Sequence, residues 1–201
     1  MSLPKAPLSG MSVEKDRRCA GSVTAEFAIV IVFFVTIVCG VIEFARIMYM
    51  FNALQMVTQR AAALAANTDF SDAAAMNAVR QQAVFRSSPG GLVLGAPVTD
   101  AHVRIRYLSV DGGNNLHEIL TAGLPACAAN NRITCMQDVH GGSCVRMVRV
   151  QVCDPADTSQ CVGVKYQALF SLIGISFNLP KATALVPSES LGVPPGEPPC
   201  P

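Results

Sequence analysis

The sequence predicts an α+β protein, in which a long N-terminal transmembrane helix precedes an outer domain with a small antiparallel sheet and disulfides. Three observations lead to this prediction: an uncharged apolar run at residues 27–42, alternating apolar and polar residues in two later segments, and 8 cysteines among 201 residues. Charged residues make up only 14% of the chain, whereas soluble domains carry about 25%. The formal net charge of +1 and the lack of a basic patch with interleaved aromatics argue against a nucleic-acid partner.

The apolar run at residues 27–42 is expected to anchor the chain in a membrane. As a helix it spans roughly 24 Å, slightly less than the ~30 Å hydrocarbon core of a bilayer. The helical spacing of apolar residues continues to Ala66, and no small-residue cleavage site follows the run. We therefore predict an uncleaved anchor rather than a secretory signal. A transmembrane and amphipathic helix is expected over residues 22–66, with its outer half lying along other elements.

Basic residues on the N-terminal side of the run set the expected orientation. Lys5, Lys15, Arg17 and Arg18 all precede it, and the cytoplasmic flank of a membrane helix is the one enriched in such residues. Residues 1–21 are therefore expected to form a cytoplasmic basic leader. The chain after the helix is expected to lie on the other side of the membrane.

Six of the cysteines fall on the outer side of the predicted membrane helix, where an oxidising compartment favours disulfides. Six cysteines allow fifteen connectivities, and the sequence leaves the choice open. The spacing from Cys135 through His140 to Cys144 departs from the short cysteine pairs of structural zinc sites, so neither a metal nor a cofactor is predicted. The disulfide candidates are Cys127, Cys135, Cys144, Cys153, Cys161 and Cys200.

The outer α+β domain is expected to cover residues 67–186, with a Cys-rich loop at 121–161 and a Pro-rich tail at 187–201. Ser71 or Asp72 can cap a helix that ends near Arg86. Alternating patterns predict short strands. The strand expected at residues 162–166 is predicted to pair with the one at residues 145–152. The predicted strands cover residues 102–110, 116–120, 145–152, 162–166 and 181–186. The sheet they form is expected to lie against the outer half of the long helix.

The segment 17–27, with the sequence RRCAGSVTAEF, joins the basic leader to the apolar helix. It resembles the processing site of type IV-like prepilins, which a membrane-embedded prepilin peptidase cuts after the glycine. The resemblance implies cleavage between Gly21 and Ser22, with Glu26 and Phe27 as the fifth and sixth mature residues. A carboxylate at the edge of the hydrocarbon is costly and usually marks function. Glu26 can pair with the new α-amino group of a neighbouring subunit, or it can simply sit among the lipid headgroups.

Residues 21–66 are similar to the N-terminal region of TadE-like proteins, the minor pseudopilins of tight-adherence pilus systems. The similarity lies in the stretches 25–28, 40–46 and 52–55 and in the alanine-rich turns 61–66. It implies a pilin-like helix in a bacterial inner membrane, a periplasmic outer domain, and a structural and assembly role. The implied partners are a prepilin peptidase, other pilins or pseudopilins, a pilus assembly platform with its ATPase, and membrane lipid. Ser22 in place of alanine and the Cys-rich insert depart from the family pattern.

Glu43 and Arg46, three residues apart on one helical face, can pair at the outer membrane surface, either as an interfacial anchor or as a contact between subunits.

A single-pass anchored binding or sensing module is the alternative function, with a periplasmic enzyme as a remote third. The sequence contains no recognisable nucleophile elbow, zinc-protease motif or phosphate-binding loop, so we expect a protein without catalytic activity.

Overall fold

A computed structural model describes residues 20–157, 160–170, 174, 176–194 and 196–200, with side chains from residue 23 onward. The chain divides into two compact units, Met1–Ile42 and Glu43–Pro201. The described part of the first unit is helical throughout, and the second contains further helices and an antiparallel four-stranded sheet. The predicted α+β class, with a long apolar N-terminal helix, a small sheet and disulfides, is confirmed.

Helix α1 (Ala20–Ala65) is 46 residues long. All residues from 29 to 35 are apolar and exposed, so the helix carries apolar side chains on every side. Such a helix needs a covering of lipid or protein, and this one is long and apolar enough to cross a membrane. The Thr36 hydroxyl donates to the Val32 carbonyl oxygen at 2.7 Å, so this polar group is satisfied within the helix.

The C-terminal half of α1 supplies one side of the core of the second unit. Met50, Leu54, Val57, Ala61 and Ala65 are buried at intervals of three or four residues, as the amphipathic spacing predicts. They belong to one buried cluster together with residues of the sheet. The alanines near the end of the helix have small side chains and allow close approach of the elements packed against them.

The sheet has the strand order β2-β1-β3-β4, with all neighbours antiparallel. Its strands are β1 (Val103–Val110), β2 (Leu116–Glu118), β3 (Met147–Val152) and β4 (Thr183–Pro187). Tyr107 of β1 is paired with Val148 of β3, and Ile105 with Val150. Because alternate residues share a face, these side chains line the buried side of the sheet. The alternating sequence pattern identifies β1 and β3 correctly, whereas β2 is shorter than predicted.

Helix α2 (Ala73–Ala83) begins where its cap predicts. The Asp72 carboxylate accepts hydrogen bonds from the backbone N–H groups two and three residues on, at 2.8 and 3.0 Å. These bonds supply partners to backbone N–H groups that have none within the first turn of a helix. The helix ends before the expected Arg86, because the chain turns at Phe85, which has a left-handed φ of 61°.

The predicted pairing of residues 162–166 with β3 is wrong. Both edges of β3 are occupied, by β1 and β4, and Lys165 instead forms an isolated bridge with Asn178. A helix was also missed within the segment expected to be a Cys-rich loop. Helix α3 (Ala128–Gln137) has a mostly polar sequence, and its N-cap residue Cys127 makes no side-chain capping bond, so the usual start signals are absent.

The Pro-rich segment after β4 folds back onto the end of α1. The Ala66 carbonyl oxygen accepts from the backbone N–H groups of Glu189 and Leu191, at 3.3 and 3.1 Å. Leu191 is only 2% exposed and joins the core. Gly192, with a φ of 76°, passes so close to the backbone of Asp69 that a Cβ atom would lie 2.9 Å from its nitrogen. Glycine is therefore required there.

Candidate functional site

The predicted processing position, Gly21–Ser22, lies in the first turn of α1. Glu26 and Phe27 follow one turn later, and both are exposed, Phe27 by 64%. Both residues of the Glu-Phe pair are therefore accessible to a neighbouring helix or to lipid.

Glu43 is the first residue of the second unit, and its buried carboxylate has partners on several sides. Only 1% of the residue is exposed. The Tyr166 hydroxyl donates to Oε1, and the Leu169 backbone N–H lies 3.3 and 3.2 Å from the two carboxylate oxygens. A buried charge is tolerated only with such partners. Burial, and then the hydrogen bond to Glu43, raises the pKa of Tyr166, so its hydroxyl remains a donor at neutral pH.

Arg46 lies one turn after Glu43, with Nη1 3.7 Å from the carboxylate Oε1. The two side chains form an ion pair, and each has additional contacts that the sequence does not indicate. Arg46 Nε donates to the Leu94 carbonyl oxygen at 3.1 Å and Nη2 to that of Ala96 at 2.9 Å. Nη1 donates to the Gln167 carbonyl oxygen at 2.6 Å. One planar guanidinium group thus joins two loops to α1.

The Tyr166 ring completes this network. The Arg46 guanidinium carbon lies 5.3 Å from the ring centroid, within cation–π range. On its own loop, Tyr166 stacks on Phe177 with centroids 4.9 Å apart. Sequence reasoning found Glu43 and Arg46 from their helical spacing but missed Tyr166, because no local pattern joins residues that are 123 positions apart. We refer to Glu43, Arg46 and Tyr166 as the helix-exit network.

The six disulfide candidates form three disulfides. Cys135 is bonded to Cys144 and Cys153 to Cys161, so two bridges close short loops. The third joins Cys127, at the start of α3, to Cys200 near the end of the chain. Because Cys135 and Cys144 are bonded to each other, neither thiolate is available to zinc. Among the described residues the free cysteine is Cys39, in the apolar part of α1.

The histidines take part in local turn structure. His102 Nδ1 accepts a hydrogen bond from the Thr99 backbone N–H at 3.0 Å. Burial lowers the pKa of His102, although the nearby Asp154 carboxylate opposes the shift. His117 and His140 lie in exposed segments and contact nearby turn residues and the end of β1. In the part of the chain that the structure describes, no group of three or more His, Cys, Asp and Glu side chains is arranged to hold a metal.

Comparison with known proteins places the N-terminal segment in a family context. The family model described as TadE-like protein matches residues 21–63, which begin in the first turn of α1 and end near its last. No curated protein and no solved structure gives a significant match to the chain. The match fits a pilus-associated, membrane-anchored protein. Residues 21–63 are therefore TadE-like, and the family resemblance recognised from the sequence is confirmed for this segment.

Proposed function

We propose that this protein is a TadE-like minor pseudopilin, a structural and assembly component of a bacterial tight-adherence pilus or related secretion system. In this proposal α1 anchors the chain in the inner membrane, residues 1–21 face the cytoplasm, and the disulfide-bonded unit lies in the periplasm. The observation that carries the proposal is the coincidence of the TadE-like match at residues 21–63 with α1. A long helix with an exposed apolar surface suits membrane insertion and lateral association with other helices.

The proposed maturation step is hydrolysis of the peptide bond between Gly21 and Ser22 by a prepilin peptidase. Water adds across the bond, which leaves a carboxylate on Gly21 and an α-amino group on Ser22. A peptidase binds its substrate in an extended conformation, so the turn of α1 that contains Gly21 must open. A glycine within a helix is less stable than alanine by roughly 0.5–1 kcal/mol, which lowers the cost of opening. Gly21 has no side chain to obstruct the approach.

The proposed assembly step uses the α-amino group that cleavage creates. Glu26 of one subunit pairs with the amino group of Ser22 on its neighbour, which offsets the cost of holding either charge at the edge of the hydrocarbon. Phe27 is 64% exposed and provides an apolar contact beside this pair. The neighbouring subunits are other pilins or pseudopilins, and a platform protein with its ATPase would drive insertion into the fibre.

The test of maturation is the intact mass of the membrane-extracted protein, expressed with and without the host's prepilin peptidase. Loss of the mass of residues 1–21 only when the peptidase is present supports the proposal. The matched control is Gly21→Val, which adds a branched side chain at the cleavage position and should keep the full mass in both strains. A full-length wild-type mass in both strains would contradict processing and favour the alternative, an anchored binding or sensing module.

A further inference from the structure

We propose that two loops of the second unit form a lipid-contacting surface beside the point where α1 leaves the bilayer. The loops are residues 92–97 and 165–169, and we call them the membrane-facing loops. Their ligand is the interfacial region of a phospholipid bilayer. This inference rests on the membrane anchoring in the proposed function, but it assigns a second, separate membrane contact to residues that lie far from α1 in the sequence.

The first argument is the position of Arg46 along α1. The uncharged run ends at Ile42, and a rise of about 1.5 Å per residue puts Arg46 roughly 6 Å beyond it. The 16 residues of the run 27–42 span roughly 24 Å, about 6 Å less than a typical hydrocarbon core. Lengthening the membrane-spanning segment beyond Ile42 places no exposed charge in the hydrocarbon at the next residue, since Glu43 is buried. Extending it on the other side would draw the exposed Glu26 inward.

The second argument is that hydrogen bonds hold both loops at this level of the helix. Arg46 Nε is 3.1 Å from the Leu94 carbonyl oxygen, and the Tyr49 hydroxyl donates to the Val93 carbonyl oxygen at 2.8 Å. On the other loop, the Leu169 N–H donates to Glu43 at 3.2 Å. Each loop is therefore attached to α1 within two turns of the end of the apolar run.

The third argument concerns the loop side chains that remain exposed when these hydrogen bonds are formed. Leu94 is 72% exposed, Leu169 58% and Val93 55%. On the adjacent part of α1, Phe44 is 62% exposed. Loop tips in water usually carry small or polar residues. Here backbone groups of the loops face Arg46 and Glu43, and Val93, Leu94 and Leu169 are exposed together with the polar Lys165 and Gln167. Leu94 even takes a left-handed φ of 56°, which is unfavourable for leucine.

The fourth argument favours lipid over a protein partner as the occupant. The loops are bonded to Arg46 and Glu43, which follow directly on the apolar run of a helix that is able to cross a membrane, so the bilayer is the nearest apolar phase. Two of the charges beside the loops, on Arg46 and Glu43, are paired and shielded, with 9% and 1% of their side chains exposed. Contact with the hydrocarbon boundary therefore strips water from neither of these two charges. The exposed Lys165 begins the second loop, and its long side chain allows the ammonium group to stay among the polar headgroups.

The chain contains no tryptophan, so a single introduced tryptophan reports on one position at a time. The full-length protein is reconstituted into phosphatidylcholine vesicles whose acyl chains carry bromine either near the glycerol or near the methyl end. The test variants are Leu94→Trp and Leu169→Trp. Phe33→Trp, in the apolar run, is the membrane control. Met136→Trp is the exposed control, because Met136 is 86% exposed. It lies near the end of α3, and the segment after α3 contacts Val110, at the end of β1 that lies away from residues 92–97.

The inference predicts that bromine near the glycerol quenches both test variants, with a fluorescence loss several times larger than for Met136→Trp. If both test variants match Met136→Trp while Phe33→Trp is strongly quenched, the membrane-facing loops are refuted and the anchoring stands. If Phe33→Trp is unquenched as well, both the anchoring and this inference fail. Blue-shifted but unquenched emission from Leu94→Trp and Leu169→Trp would show that protein covers the loops and would also refute the inference.

Discussion

The Tyr166 hydroxyl donates a hydrogen bond to the Glu43 carboxylate across 123 residues of sequence. Glu43 directly follows the apolar run, and Tyr166 belongs to a loop that stacks on Phe177. The bond therefore connects the first turn of α1 in the second unit with a loop that precedes β4. Because the carboxylate is buried, the helix-exit network is expected to contribute to the stability of the second unit out of proportion to its size.

Replacing Tyr166 with phenylalanine tests this contribution. Tyr166→Phe removes one donor from a buried carboxylate and should lower the free energy of unfolding by about 1–3 kcal/mol. The measurement is urea unfolding of the detergent-solubilised protein. The control is Tyr49→Phe, since the Tyr49 hydroxyl donates to a backbone carbonyl and the residue is 40% exposed. An equal loss in the two variants would argue against a special role for the Glu43 bond.

Arg46 should be sensitive even to conservative replacement. Arg46→Met leaves the Glu43 carboxylate buried without its cation and should cost about 3–5 kcal/mol. Arg46→Lys keeps the charge but cannot donate hydrogen bonds to several carbonyl groups in the same planar geometry, so we expect an intermediate loss of stability. The double variant Glu43→Gln/Arg46→Met should regain part of the stability lost in Arg46→Met, as a double-mutant cycle from urea unfolding would show. Additive losses would mean that the two residues act independently.

The parts of the fold that the sequence predicts well depend on periodic patterns. The unbroken apolar run predicts the beginning of α1, and period-two alternation predicts β1 and β3, because each pattern reflects burial of a regular face. The short segment 162–166 shows similar alternation but is excluded from the sheet, since both neighbours of β3 are already in place. Helix α3 lacks both a capping side chain and an apolar stripe, so no local sequence pattern predicts it.

Of the helix-exit network, only the part that lies on α1 could be predicted from the sequence. The spacing of Glu43 and Arg46 follows from helix geometry, whereas Tyr166 and the carbonyl groups of residues 94, 96 and 167 reach Arg46 through tertiary folding. The disulfide pairings likewise depend on where the loops lie in space, which is why the sequence left the connectivity open. Side chains of residues 20–22 lie outside the described part of the structure, and processing at Gly21 remains a prediction.

Folding stability should decrease on mild acidification because of His102. The folded state lowers the pKa of this imidazole, chiefly through burial, so the unfolded chain binds the proton more readily. Stability should therefore fall as the pH drops below about 6.5, the ordinary histidine value. His102→Gln should flatten the pH dependence of urea unfolding between pH 5 and 7, and the comparison at pH 8 gives the cost of the substitution itself. An unchanged slope would contradict the prediction.

The disulfides should differ in their contribution to stability. Cys127 and Cys200 are separated by 73 residues, against 8 for Cys153 and Cys161. In the chain-entropy treatment, the disulfide that closes the long loop stabilises the protein by about 4.4 kcal/mol and the one that closes the short loop by about 2.5 kcal/mol. Replacing the first pair with alanine should therefore destabilise the protein more than replacing the second pair. Non-reducing peptide mapping establishes the pairings first, and equal losses in urea unfolding would contradict the loop-length argument.

Glu26→Gln should separate processing from assembly. The amide keeps the size of the side chain but cannot form an ion pair with the α-amino group of a neighbour. Removing one partner of a buried pair costs about 3–5 kcal/mol, so capture of pilin subunits by the tagged protein should fall by more than about tenfold. Glu26→Asp, which keeps the charge, should retain part of the capture. Intact mass must show normal removal of residues 1–21 in both variants. Wild-type capture by a correctly processed Glu26→Gln protein would refute the proposed pairing.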